Sequence, residues 1–282
     1  MGLMTFMARR FVAGRTADAA MRAVRRLNER KICATLDILG EDVTDRDEAN
    51  RAAADYIALL ERIAQEKVDS NVSVKLTMMG LEIDKAFCLD NVRRVVAAAA
   101  RLGNFVRVDI EGSNVTQATL DIVHAVFAES PNIGAAVQSY LYRTEADVVA
   151  LNKAGITTRL CKGAYREPRE VAFQDKRDVN ANYSKLMRML LEGNPYCAVA
   201  THDTKLINEC KALVAGNGMG RDQFEFQMLY GIRSALQRTL AAEGYRVRCY
   251  VPFGTHWLPY FMRRLRERRA NVLFVLKNLF RR

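Results

Sequence analysis

NVRRVVAAAARLGNFVRVDIEGSNVTQATLDIVHAVFA, residues Asn91–Ala128, is the stretch whose reading decides the fold. Asn91–Leu102 repeats its apolar residues at helical spacing. Phe105–Ile110 is short and rich in β-branched residues, and Gln117–Ala128 returns to the helical period. The same unit recurs in both directions. Strand-like runs occur at Ile32–Asp37, Val72–Leu76, Phe105–Ile110, Ile133–Gln138, Ile156–Leu160, Cys197–Thr201, Phe224–Gln227 and Val247–Val251. Between them helical periodicity marks Asp55–Ile63, Asn91–Leu102, Gln117–Ala128, Thr144–Ala154, Asn182–Leu191, Lys205–Ala215 and Ser234–Glu243. Strands alternating with helices specify a parallel sheet. Eight such units in about 250 residues point, within the α/β class, to a (β/α)8 TIM barrel. A doubly wound sheet is the second fold the pattern allows.

No low-complexity linker interrupts the 282 residues, so one barrel domain over 31–282 follows a basic amphipathic helical arm over 1–30. Met1–Val12 is rich in Met, Phe and Arg and meets no acid until Asp18, which also resembles a transit peptide; the helical arm is the preferred reading. The arm looks short, which leaves a truncated start open. The longest all-apolar stretches, such as Val95–Ala100, are far too short to span a bilayer. The start carries neither a secretory nor a myristoylation signal, so a cytoplasmic chain is expected.

The net charge of +11 sits at the two ends, while the body is nearly neutral. Solvated helix faces are the plain explanation. Peripheral contact with anionic lipid at the inner membrane face is the sharper one. Nucleic acid is not expected, because no recognised binding module accompanies the charge. Six cysteines form no C-x-x-C pair, so no metal site is expected and most read as small core residues. Gly216-Asn217-Gly218-Met219-Gly220 follows a helix and precedes a strand, the reverse of a dinucleotide fingerprint, and reads as a helix end and loop.

A barrel of this kind carries its site at the C-terminal ends of its strands. Those ends hold Asp37, Lys75, Asp109, Glu111, Gln138, Arg159, Lys162, Thr201, His202, Asp203, Gln227 and Tyr250. Together they describe a mouth rich in hydrogen-bond donors and cations, suited to a phosphate-bearing cofactor and a carboxylate substrate. In Arg159-Leu160-Cys161-Lys162-Gly163-Ala164-Tyr165, Gly163 permits close backbone approach to a ligand and Ala164 keeps the wall low; a tight turn with no ligand is the alternative the spacing also allows. After the last strand, Leu258, Phe261, Met262 and Leu265 follow helical spacing, with Arg263 and Glu267 as i,i+4 partners. A guanidinium fork fits a carboxylate bidentately, but on charge alone Arg263 and Arg264 read as a solvated face. His124 reads as structural and His256 as a loop residue or helix start.

The KGAY segment, Ala200-Thr201-His202-Asp203, the Phe224–Gly231 segment FEFQMLYG, and Tyr250…Gly254-Thr255 followed by the Arg-Arg-x-x-x-Glu helix resemble, in order and placement, the proline dehydrogenase family. The resemblance covers roughly residues 30–280, and Arg166-Glu167-Pro168 is most similar to its small bacterial single-function members. It implies a distorted barrel whose C-terminal helix carries substrate-binding arginines, non-covalent FAD, oxidation of L-proline to Δ1-pyrroline-5-carboxylate, and reoxidation by a membrane quinone. It further implies that Lys75, Arg263 and Arg264 hold the proline carboxylate, with Tyr250 and Leu229 around the substrate. Asp109 becomes the acidic site residue and Arg159 lies near the flavin N5 edge. Gln138, Lys162, Gly163, Ala164, Thr201 and His202 contact FAD, with the Ile110 backbone nearby. Arg166 departs from the aromatic residue that long fused members carry after KGAY. The residues alone leave two rivals: a Schiff-base lyase or aldolase using Lys75 or Lys162, and a non-enzymatic membrane or nucleic-acid binder using the basic ends. They do not specify an oligomeric state.

Overall fold

The computed structural model of the chain describes residues 10–267. The expectations for Met1–Arg9, the Asn271–Phe280 segment and the Glu267 side chain lie outside the described residues. Eight parallel strands close into a barrel in sequence order, with β1 (Cys33–Ile38) paired to β8 (Val247–Phe253), which excludes the doubly wound sheet. The others are β2 (Ser70–Val74), β3 (Val106–Val108), β4 (Ile133–Gln138), β5 (Thr158–Cys161), β6 (Cys197–Ala200) and β7 (Phe224–Leu229). A helix precedes the barrel, α1 (Ala17–Asn28), and one follows each strand: α2 (Arg46–Glu66), α3 (Lys85–Arg101), α4 (Ser113–Glu129), α5 (Thr144–Ala154), α6 (Lys176–Gly193), α7 (Thr204–Gly216), α8 (Ser234–Ala242) and α9 (Trp257–Glu267).

Most boundary differences have local causes. Asp45, Asp84 and Asp175 each accept a backbone N–H at the start of α2, α3 and α6, so these helices begin six to nine residues before their apolar period shows. β2 begins at Ser70 because its register runs Ala34↔Ser70 to Asp37↔Ser73. It ends at Val74 because Leu76 already accepts backbone hydrogen bonds from Met79 and Leu81. Lys75 therefore stands just past the strand, at the rim. The Gly216–Gly220 stretch is the end of α7 and the loop after it.

The helices bury their apolar faces on the outside of the barrel. α1 packs Ala20, Met21, Val24 and Leu27 into the same core. The inside is different. A parallel barrel is ordinarily filled by Val, Ile and Leu. Here Arg107, Asp109, Arg159, Gln227 and Tyr250 project inward, as bonds between non-neighbouring strands show: Arg159 of β5 reaches Ser73 of β2, and Tyr250 of β8 reaches Asp109 beyond β3; Arg248, two residues before Tyr250, shares its face. Gly134 makes this possible locally, because a Cβ there would stand 2.6 Å from Arg107 Nη1.

Candidate active site

The floor of the mouth is one buried polar network. Lys75 Nζ donates to Asp37 Oδ1 at 2.8 Å and lies 4.0 Å from Asp109 Oδ2. Asp109 Oδ1 accepts from Arg159 Nη1 at 2.5 Å and Ser73 Oγ at 2.6 Å, and its Oδ2 accepts from the Tyr250 hydroxyl at 2.6 Å. The Arg159 guanidinium also lies over the Tyr250 ring, 5.4 Å from its centroid. Burial alone would push the Asp109 carboxyl up, but Arg159 and Lys75, with hydrogen bonds from Ser73 and Tyr250, outweigh it and hold Asp109 below the usual carboxylate range. Burial likewise opposes charge on Lys75, yet Asp37 and Asp109 overcome it and raise the ammonium well above its ordinary value. Asp37, fully enclosed, is pushed up by burial, which Lys75 offsets only in part. Asp109 is thus an ionised anchor that fixes Arg159 and Tyr250, with Lys75 at longer range.

Around this floor stand the remaining expected residues. Ile110 is buried after β3. Gln138, at the end of β4, donates from Nε2 to the Glu111 carbonyl at 2.8 Å. Lys162 donates to Asn180 at 2.6 Å and Asp203 at 3.1 Å. Gly163 has φ +120°, and a Cβ there would sit 2.5 Å from the Tyr140 ring; the close approach it permits is to Tyr140. Ala164 is half-buried beside it. Thr201 is buried and its hydroxyl accepts from the Asp203 N–H at 3.1 Å. His202 Nε2 accepts from the Leu229 N–H at 3.0 Å, which puts a neutral ring's proton on Nδ1. Arg166 is exposed in the loop beyond.

α9 carries its two arginines over the opening. Arg263 Nη1 donates to Glu41 at 2.6 Å, and the guanidinium lies 5.3 Å from the Tyr165 ring centroid. Its described ion-pair partner is thus Glu41, on the β1–α2 loop. Arg264 lies 5.2 Å from the Tyr260 ring centroid, one turn back on its own helix. A cavity of about 890 Å³ opens here, with Lys75, Glu41, Arg263, Tyr260, Leu39 and Met78 in its wall. Neither arginine is a fully solvated face: both are half-buried.

Sequence reasoning missed Ser73, Tyr165, Glu41 and the role of Gln227. It placed Glu111 at the rim without assigning it a task. Glu111 is buried, accepts from the Thr77 N–H at 3.1 Å and its hydroxyl at 2.9 Å, and is pushed by burial up to about 7, with Lys75 opposing. A Schiff-base lysine needs a lowered ammonium pKa. Lys75 is driven the opposite way, which argues against it as a Schiff-base lysine.

Known proteins match this chain closely. The family model described as "Proline dehydrogenase" matches residues 20–277. "Proline dehydrogenase 1" of Bacillus subtilis subsp. natto is 42% identical over 274 residues, spanning 97% of this chain and 91% of the relative. "Proline dehydrogenase" of Deinococcus radiodurans is 40% identical over 280 residues, spanning 98% and 90%. Among solved structures, proline utilization A (PutA) from Bdellovibrio bacteriovorus, inactivated by N-propargylglycine, superposes with a TM-score of 0.87 at 26% identity. The match covers 93% of this chain but only 32% of that longer one.

Proposed function

The chain belongs to the proline dehydrogenase family, and on that premise we propose that it oxidises L-proline to Δ1-pyrroline-5-carboxylate, with FAD as the immediate acceptor and a membrane quinone as the onward one. The observation that carries the cofactor is on Arg159. Its Nη2 is buried and makes no hydrogen bond among the described residues, although Nε and Nη1 are both committed. A buried guanidinium nitrogen left in this state costs stability unless a ligand accepts from it. With Lys162, Thr201 and His202 on the same rim, the donor set fits a flavin nucleotide. Gln138, Lys162, Gly163, Ala164, Thr201 and His202, with the Ile110 backbone, are the residues assigned to hold it.

FAD, when bound, supplies the two-electron acceptor that no side chain provides. The protein's part is to orient and to set charge. Lys75, Arg263 and Arg264 grip the carboxylate of proline, with Tyr250 and Leu229 packing the ring, which fixes the C–H beside the ring nitrogen. The same cations favour loss of the ammonium proton, so that a neutral amine can donate its electrons. Arg159, locked by Asp109, stabilises negative charge that arrives at the acceptor. Asp109, ionised and already accepting from Arg159, Ser73 and Tyr250, serves as an anchor and not as the base.

No helix among the described residues is long and apolar enough to cross a membrane. The basic ends support peripheral contact of a cytoplasmic chain with an anionic membrane surface, where a quinone is found. The deciding experiment is anaerobic. A yellow purified protein whose flavin absorbance bleaches on adding L-proline is expected. A colourless protein that borohydride links to a carbonyl substrate overturns the assignment in favour of a lyase.

A further inference from the structure

Below Arg159 a hydrogen-bonded chain runs down through the barrel interior. Arg159 Nε donates to Gln227 Oε1 at 2.6 Å, and Gln227 Nε2 donates to Glu225 Oε1 at 2.6 Å. Arg248 Nε donates to both Glu225 oxygens, at 2.9 and 3.0 Å, and Arg248 Nη1 donates to the Ala34 carbonyl at 2.7 Å. All four residues are buried, none more than 6% exposed.

The chain has a direction. A guanidinium only donates and an ionised carboxylate only accepts, while an amide has one end of each kind. Gln227 therefore has one satisfactory orientation, oxygen to Arg159 and nitrogen to Glu225, and only while Glu225 stays ionised. Burial opposes that ionisation, but the charge and hydrogen bonds of Arg248 outweigh it and hold Glu225 below the usual range. With Nε on Gln227 and Nη1 on Asp109 and Ser73, the plane of the Arg159 guanidinium is fixed and Nη2 is the nitrogen left over. Breaking a buried charge-assisted bond of this kind leaves a polar group unsatisfied, so the guanidinium must turn to recover a partner.

We propose that Gln227 is the positioning residue for Arg159, held in one amide orientation by the Glu225–Arg248 pair, and that this support sets how strongly Arg159 stabilises reduced flavin. The inference rests on reading Arg159 as the cation that faces the flavin.

The test uses the FAD-loaded full chain. Gln227→Met keeps the length and removes both bonds. The flavin midpoint potential is expected to fall about tenfold in its two-electron equilibrium, about 30 mV. Flavin reduction by proline is expected to slow at least tenfold, while the KM for proline stays within twofold. Gln227→Glu supplies a readout that a packing role does not produce. While neutral, the introduced carboxyl accepts from Arg159 and donates to Glu225 as the amide does. Once ionised it cannot donate, and it faces a like charge. Its potential, measured against the wild type at each pH, should match at low pH and step down as the carboxyl ionises. That step decides the matter alone if Gln227→Met does not fold. Arg159→Met separates the two layers of the argument. A lowered potential in Arg159→Met, with both Gln227 variants tracking the wild type at every pH, overturns the positioning role and leaves the reading of Arg159 intact. An unchanged potential in Arg159→Met overturns that reading and the inference with it.

Discussion

Lys75→Met is expected to destabilise the protein in a pH-dependent way, because the substitution strands Asp37. The two groups are 2.8 Å apart, and Lys75 and Asp37 are 5% and 0% exposed. Removing one partner of a buried pair typically costs about 3–5 kcal/mol, since the other is left as an uncompensated charge. Asp37 can escape by taking up a proton, and burial already drives it that way. In the variant its folded pKa therefore lies further above the unfolded value. A carboxyl of this kind binds its proton more tightly in the native state, so stability falls as pH rises from the unfolded pKa towards the folded one. The loss should accordingly grow as pH rises above the unfolded value, and be larger at pH 8 than at pH 5. For a chain of this size each kcal/mol moves Tm by about 2–4 °C, which makes the deficit at pH 8 roughly 6–20 °C. Calorimetric melts at both pH values, in a fixed excess of FAD, provide the measurement. The double variant Lys75→Met/Asp37→Asn, which has no charge to strand, should recover most of the loss at pH 8. An equal deficit at pH 5 and pH 8, or a double variant no better than the single, refutes the reasoning.

Three further outcomes follow from the same geometry. Glu111 has a folded pKa of about 7 against an ordinary 4.5, so as pH rises between those values its ionisation progressively removes stability. Glu111→Gln should leave the melt at pH 5 nearly unchanged and raise stability at pH 8 by roughly 1–3 kcal/mol, flattening the pH dependence of Tm. Arg263→Met should raise the KM for proline by the equivalent of about 2–5 kcal/mol while flavin content per chain, read from absorbance, stays constant; an unchanged KM removes Arg263 from the carboxylate grip. Gly163→Ala drives a Cβ to 2.5 Å from the Tyr140 ring at a backbone φ of +120°. It should lower flavin retained through purification several-fold, and full retention shows that the turn can shift without harm.

What the sequence conceals here has a physical explanation. The eight strands and most helices are legible because each unit carries its own periodicity, and a local signal needs no partner. Helix starts are less so: Asp45 and Asp84 begin α2 and α3 well before any apolar stripe, since a cap works through one side chain. The mouth residues are legible as types at strand ends, but their pairing is not, because Arg159 finds Gln227 across 68 positions and Tyr250 finds Asp109 across 141. Arg263 illustrates the limit. Its spacing suggests Glu267, whose side chain lies outside the described residues, while closure of the barrel brings it a partner that no local spacing announces, Glu41 from the other end of the chain.

The strand sequences themselves carry a further signal. A parallel strand covered by helices outside and packed side chains inside reads as a continuous apolar run. Three of the strands here do not. In VRVD, FEFQ and VRCY an apolar residue alternates with Arg107 and Asp109, with Glu225 and Gln227, and with Arg248 and Tyr250. Period-two alternation in a half-buried antiparallel strand means one wet face. Inside a closed eight-strand ring no wet face exists, so the polar members must satisfy one another within the barrel. That requirement alone predicts an interior ladder of opposite charges, and Arg248–Glu225, Arg159–Asp109 and Lys75–Asp37 are its rungs. An interior of this kind gives less stability than Val and Leu in the same space. What it provides instead is a rigid electrostatic footing for Arg159 and Lys75, the two cations that no solvent-exposed loop could hold so firmly against a reacting ligand.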